Sequence, residues 1–97
     1  MIMIEDKHWK ILIDILNRYP YQFYVFGSRI KGTAKKYSDL DLCYKEEVPY
    51  SILSNIKETL EETNLPFSVD FVDWNNCTED FQKLIENDLI PLQNLKK

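Results

Sequence analysis

The 97-residue sequence is poor in the residues on which several classes of protein depend. It has one histidine, His8, distant from other candidate groups, so no Ser-His-Asp or Cys-His catalytic set can be assembled convincingly. Its two cysteines, Cys43 and Cys77, are far apart and lack the spacing of zinc ligands, so we expect reduced thiols and no disulfide. No stretch approaches the roughly 20 consecutive apolar residues of a membrane span.

Positive charge is scarce as well. The 12 lysines and arginines are outnumbered by 16 aspartates and glutamates, and the net charge of −4 argues against a protein that coats nucleic acid with a broad basic surface. The acidic N-terminus MIMIEDKHWK lacks the basic region of a signal peptide, so we expect a cytoplasmic protein with no membrane association. The length and an ordinary composition, 44% hydrophobic and 29% charged, indicate one globular domain over residues 1–97.

Apolar residues recur with the period of an α-helix in three segments. We expect the first helix to end at Pro20, the second to begin near Pro49 and Ser51, and the third to begin with Thr78 as its N-cap. The residues expected on the buried faces are Trp9, Leu12, Ile13 and Leu16, then Ile52, Leu53, Ile56 and Leu60, then Phe81, Leu84 and Ile85.

Four further segments are typical of strands: YQFYVF at 21–26, SDLDLCY at 38–44, PFSVDFVDW at 66–74 and LIPL at 89–92. A short helix is expected between the first two, because Ser28 after the strand suits an N-cap. Helices and strands therefore alternate along the chain, and no linker or internal boundary is expected.

Two aspartates on the second predicted strand are the first candidates for chemistry. Asp39 and Asp41 are two residues apart, so they point to the same side, with Cα atoms about 6.5–7 Å apart. Two ionised carboxylates so close are costly unless a cation lies between them, and their oxygens suit Mg²⁺ or Mn²⁺. Aspartate is disfavoured in strands, but both residues could instead simply decorate a solvated strand face.

A third aspartate strengthens the functional interpretation. Asp70 lies in the middle of the third predicted strand, between apolar residues, where an unpaired charge is expensive. If the second and third strands are neighbours, three carboxylates converge and can hold two divalent ions for in-line displacement at phosphorus. Asp73 is the competing candidate, but by strand alternation it falls on the opposite face.

A glycine and a serine end the first predicted strand. Gly27 permits close backbone approach, and Ser28 begins the expected helix, whose free N–H groups attract an anion. The segment from Gly27 to Ser38 holds four basic residues and no acid, and Arg29 is the best candidate for a phosphate contact. At least two of these basic residues are expected to be merely solvated. The segment is no classical phosphate loop, since Thr33 stands where that loop requires lysine.

The pattern of Gly27-Ser28, ten residues, and then Asp-Leu-Asp at 39–41 resembles the Gly-Ser-x10-Asp-x-Asp signature of the DNA polymerase β-like nucleotidyltransferases. With the later VDFVD, it is similar to their minimal branch, the MNT or MntA-like antitoxins. The resemblance implies an α+β fold with a small mixed sheet and helices mainly on one side. It also implies Mg²⁺ at Asp39, Asp41 and Asp70 and a nucleotide held at Gly27 and Ser28.

The resemblance further implies an activity and a partner. It implies transfer of AMP from ATP to a hydroxyl, expected to be a tyrosine, of a helical HEPN-domain toxin in a homo- or hetero-oligomer. Two alternatives remain open at this point. The protein could mask its partner by binding without catalysis, or it could add nucleotides to RNA or DNA, which the negative charge disfavours.

Overall fold

The computed structural model describes residues 4–27 and 39–92. In chain order the elements are α1 (Asp6–Leu16), β1 (Phe23–Phe26), β2 (Leu40–Tyr44), α2 (Tyr50–Glu61), β3 (Val69–Asp73), a 3₁₀ turn (Trp74–Asn76), α3 (Glu79–Ile85) and β4 (Ile90–Pro91). No helix in this part of the chain has the length and apolar character needed to cross a membrane.

The four strands form one mixed sheet in the order β3-β2-β1-β4. β1 runs antiparallel to both β2 and β4, whereas β2 and β3 are parallel. A parallel pair needs a crossover connection, and α2 supplies it between β2 and β3. The predicted α+β fold with a small mixed sheet is confirmed.

The larger hydrophobic cluster lies on the face of the sheet that α1 and α2 cover. Both helices bury an apolar stripe of the kind the periodicity predicts, including Leu12 and Leu16 of α1 and Ile56 of α2, all fully buried. Strand residues Leu40 and Leu42 meet them from β2. This face carries most of the hydrophobic core, so the expectation of helices mainly on one side is confirmed.

A smaller cluster lies on the opposite face, beneath α3. Phe26, Cys43 and Ile85 are its buried members. Thr78 caps α3 as predicted, because its side-chain oxygen accepts a hydrogen bond from the Phe81 N–H at 3.2 Å. The prediction that Leu84 is buried is wrong, since its side chain is 69% exposed. Adjacent helix positions are about 100° apart, and in this short helix Ile85 takes the place facing the sheet.

Candidate active site

Three carboxylates come from the beginnings of two adjacent parallel strands. Asp39 directly precedes β2, Asp41 is the second residue of β2, and Asp70 is the second residue of β3. The strand register pairs Asp41 with Asp70, and neighbouring strands lie about 4.8 Å apart. Because side chains alternate along a strand, Asp39 shares their side of the sheet. The register therefore brings together the carboxylates that the sequence predicts to meet if these strands are neighbours.

The three carboxylates differ in exposure. Asp39 and Asp70 are exposed, whereas Asp41 is partly buried between the flanking strands. Burial raises the pKa of Asp41, and the negative charges of Asp70 and then Asp39 raise it further. A cation between these groups would relieve that repulsion, so the donor set fits a hard divalent ion such as Mg²⁺.

The carboxylates do not form a closed metal cage by themselves. Among residues 4–27 and 39–92, no group of three or more His, Cys, Asp or Glu side chains has an arrangement that could hold a metal ion. Mg²⁺ commonly keeps several waters and binds through one or two carboxylates together with substrate phosphates. An ion that arrives with a nucleotide can therefore use these side chains without three preformed protein ligands. That all three coordinate metal remains a prediction.

Gly27 directly adjoins this group at the end of β1. Its φ of +92° lies in a region that side-chain-bearing residues rarely adopt. A Cβ added there would lie 2.8 Å from Oδ2 of Asp41, closer than real Cβ atoms approach another atom. The backbone at Gly27 and the carboxylate of Asp41 are thus in close contact only because residue 27 is glycine. Ser28 and Arg29, the other predicted nucleotide-binding residues, lie outside the described residues.

Asp73, the competing candidate, has a structural role at the other end of β3. It is paired in the register with Tyr44, whose side chain belongs to the larger cluster on the opposite face. Its two carboxylate oxygens accept hydrogen bonds from the Asn75 N–H and from Nδ2 of Asn76, each at 3.0 Å. Asp73 therefore caps the 3₁₀ turn, and the geometry favours Asp70 as the third carboxylate of the site.

A cavity of about 450 Å³ borders the carboxylates on the side of β3 away from Gly27. Its lining includes Asp39 and Asp70, Lys57 and Glu61 of α2, and the loop residues 65–68 before β3. Neither Lys57 nor Glu61 stands out in the amino-acid sequence as a functional residue. Their spacing of four residues on one helix was the only signal, and it is common on solvated helix faces.

Comparison with known proteins identifies the family. The profile of the family described as "Polymerase beta, Nucleotidyltransferase" matches residues 10–94. The chain belongs to this nucleotidyltransferase family. It is 43% identical over 98 residues to a "probable protein adenylyltransferase MntA" of Haemophilus influenzae, a match that covers 97% of this chain and 86% of the relative. The predicted family membership and the predicted enzyme class, nucleotidyltransferase, are confirmed.

Two solved structures share the fold of this nucleotidyltransferase. A crystal structure of a toxin–antitoxin with AMP-PNP matches with a TM-score of 0.65 at 20% identity, over 91% of this chain and 74% of the other. The crystal structure of a toxin–antitoxin MntA-HepT matches with a TM-score of 0.56 at 14% identity, over 91% of this chain and 71% of the other. At these identities the likeness establishes the fold alone.

Proposed function

We propose that this nucleotidyltransferase transfers AMP from ATP to a tyrosine hydroxyl of a HEPN-domain toxin and so acts as the antitoxin of the pair. The observation that carries the proposal is the alignment of Asp41 with Asp70 on adjacent strands, with Gly27 against Asp41. The relative named as a probable protein adenylyltransferase supports the reaction. The structural relatives described as toxin–antitoxin assemblies, one of them with AMP-PNP, support the partner and the nucleotide.

The order of the strands indicates from which side the acceptor hydroxyl approaches the nucleotide. Gly27, directly after β1, lies on one side of Asp41, and Asp70, the second residue of β3, lies on the other side. In the proposal, the backbone at Gly27 and the Ser28 hydroxyl bind the phosphates, with Arg29 as a further phosphate contact. In-line displacement requires the nucleophile to approach opposite the leaving group. The acceptor hydroxyl therefore arrives from the β3 side, where the cavity is.

The transfer forms one bond and breaks one. The acceptor oxygen bonds to the α-phosphorus of ATP, the bond between the α-phosphorus and its bridging oxygen breaks, and pyrophosphate leaves. The hydroxyl proton passes to the Asp70 carboxylate, whose exposure on the acceptor side lets it approach that oxygen. When bound at Asp39, Asp41 and Asp70, Mg²⁺ or Mn²⁺ would neutralise phosphate charge and acidify the hydroxyl.

The proposal places the reaction in the cytoplasm, with toxin and antitoxin in one hetero-oligomer. Both cysteines are free thiols, which is compatible with a reducing compartment. The described part of the chain is small, and its cavity beside the carboxylates opens to solvent. We infer that the partner supplies the remaining surface of the acceptor site.

Labelled ATP tests the assigned roles. The wild-type protein is incubated with Mg²⁺, α-labelled ATP and a candidate HEPN-domain protein, and label on that candidate partner is measured. We expect Asp41→Asn and Asp70→Asn each to reduce labelling at least about 100-fold, the usual scale for an electrostatic or proton-transfer residue. Asp73→Asn is the matched control, because it changes a carboxylate of the same strand that caps a turn, and it should retain labelling.

The outcomes separate catalysis from simple masking. Undiminished labelling by Asp41→Asn would refute the role of the aligned carboxylates. Inhibition of the toxin that persists equally with Asp41→Asn and without ATP would instead favour an antitoxin that acts by binding alone.

A further inference from the structure

We call the cavity of about 450 Å³ beside Asp39 and Asp70 the acceptor cavity. β3 is the edge strand of the sheet on that side. Within residues 4–27 and 39–92 its only strand partner is β2. The Leu40 N–H donates to the Ser68 carbonyl at 2.8 Å, so the backbone groups of Ser68 and Asp70 point toward β2. By strand alternation, the N–H and C=O groups of Val69 and Phe71 point outward. An unpaired edge of this kind is a template for another strand.

A groove follows this edge between β3 and α2. It consists of the acceptor cavity and a second cavity of about 490 Å³ that shares Lys57 and Glu61 with it. The second cavity continues along α2 to Tyr50, with Phe71 as its floor on the strand side. We call the two together the edge groove. α2 has 12 residues and is about 18 Å long, the length of an extended segment of five or six residues.

The charge of the edge groove is mainly negative. Its lining contains the carboxylates of Glu58, Glu61, Asp39 and Asp70 and one cationic group, that of Lys57. Glu58 and Glu61 are exposed, and neither is in an ion pair with another described residue. The groove is therefore complementary to a segment that carries lysine or arginine.

We propose that the edge groove binds the acceptor segment of the modified protein as an extended strand paired with β3, with a lysine or arginine next to the acceptor residue. The inference rests on the proposed function and names the form in which its substrate is bound. Main-chain hydrogen bonds to Val69 and Phe71 give affinity, and alternate side chains give specificity, as in other cases of strand addition.

Side chains alternate between the two faces of the added strand, which explains why a lysine or arginine is proposed next to the acceptor residue. The acceptor side chain points to the same face as Asp70, one strand spacing or about 4.8 Å away. Tyrosine is long enough to extend from there past Asp70 toward Asp41. The residues on either side of it point to the other face, where α2 presents Glu58 and Glu61. A long basic side chain can pack its stem on Phe71 and direct its charge to these glutamates.

Peptide binding tests the charge preference without requiring catalysis. The probes are two fluorescein-labelled ten-residue peptides with a central tyrosine, flanked by lysine in one and by glutamate in the other. Fluorescence anisotropy with the full-length protein should show at least tenfold tighter binding of the lysine peptide. Glu58→Lys combined with Glu61→Lys should weaken its binding about tenfold, because two attractive surface charge pairs become repulsive. Glu86→Lys, an exposed glutamate beyond α3, is the control and should change nothing.

Amide hydrogen exchange tests the strand pairing itself. Saturating lysine peptide should slow the exchange of the Val69 and Phe71 amides at least tenfold. The Val72 amide, which already points toward β2, should change little. Peptide binding without protection at Val69 and Phe71 would overturn the pairing. A dimeric protein with both amides already protected would assign the edge to a second copy and would overturn the proposal too.

The two proposals fail in distinguishable ways. If the partner is labelled normally by the Glu58→Lys and Glu61→Lys double variant and the peptides bind equally, the groove assignment is wrong and adenylyl transfer stands. If the wild-type protein labels no partner but the lysine peptide binds with protection at β3, the groove stands and adenylyl transfer is wrong.

Discussion

Gly27→Ala is the most direct perturbation of the contact between β1 and the carboxylates. The substitution has two separate costs. An L-residue at a φ of +92° is strained by about 1–2 kcal/mol. In addition, the new Cβ would lie 2.8 Å from Oδ2 of Asp41, so the carboxylate must move. We therefore expect a total loss of about 2–3 kcal/mol in the free energy of unfolding.

Chemical denaturation and thermal melting measure this loss. In a domain of this size each 1 kcal/mol lowers Tm by about 4–8 °C, so a loss of about 2–3 kcal/mol in Gly27→Ala should lower it by about 8–24 °C. Ser51→Ala, at an exposed position of α2, is the control and should shift Tm little. Transfer of AMP, measured well below the lowered Tm, should fall at least tenfold, because the displaced Asp41 is a proposed catalytic residue.

A double-mutant cycle separates the two costs. In an Asp41→Ala background the added Cβ no longer meets a carboxylate, so Gly27→Ala should cost about 1 kcal/mol less than in the wild type. The cost that remains reports the backbone strain. A Gly27→Ala variant as stable as the wild type, or a cycle with no coupling energy, would show that residue 27 does not press on Asp41 as described.

Three further predictions concern the packing around the site. Leu42→Ala, in the centre of the larger cluster, should cost about 2–5 kcal/mol in denaturation, whereas Leu84→Ala should cost little because that side chain is 69% exposed; equal costs would contradict the described faces of the sheet. Thr78→Ala should cost about 0.5–2 kcal/mol by loss of the N-cap bond, and Thr78→Ser should restore most of it in the same assay. Burial, and to a smaller extent the nearby Cys77, raises the pKa of the Cys43 thiol to about 11. Iodoacetamide at pH 8 should therefore label Cys77 at least tenfold faster than Cys43, and the opposite order would contradict the burial of Cys43.

Strand alternation accounts for how much of the site could be predicted. Alternate residues of a strand point to the same face, so Asp39 and Asp41 share one face of the sheet, whereas Asp70 and Asp73 point to opposite faces of β3. This holds for any arrangement of the other elements. The pairing of β2 with β3 then brings Asp70 beside Asp41, so that the three carboxylates form one cluster. The predicted strands are longer than the observed ones; the first is predicted over 21–26 and observed over Phe23–Phe26. Residues typical of strands continue along the sequence past the last residue that is hydrogen-bonded to a neighbouring strand.

Features that depend on tertiary packing could not be predicted in the same way. Leu84 and Ile85 satisfy the helical period equally well, and only the position of α3 on the sheet decides which is buried. Lys57 and Glu61 look like ordinary polar helix positions until α2 is placed beside the edge strand. Ser28 and Arg29 lie outside the described residues, so their predicted role in nucleotide binding stays a prediction.

Repulsion among the three carboxylates should destabilise the folded protein when no cation is bound. The pKa of Asp41 is raised above its ordinary 3.8 by burial and by the charges of Asp70 and Asp39, so the folded protein favours its protonated form. The protonated carboxyl of Asp41 makes its full contribution to the free energy of unfolding below pH 3.8, and this contribution is lost as the pH rises through the raised pKa. Without divalent ions, Asp41→Asn should therefore raise Tm at pH 7.

The pH dependence and the response to ligand check this reasoning together. In EDTA the stabilisation by Asp41→Asn should shrink as pH falls toward 3.8, because the wild-type carboxyl then becomes neutral too. Adding Mg²⁺ and a non-hydrolysable ATP analogue should stabilise the wild type more than Asp41→Asn, because only the wild type offers the carboxylate to a cation. Asp80→Asn, at the exposed first turn of α3, serves as the control and should not gain stability at pH 7. An Asp41→Asn protein less stable than the wild type in EDTA at pH 7 would mean that carboxylate repulsion does not govern the energetics of this site.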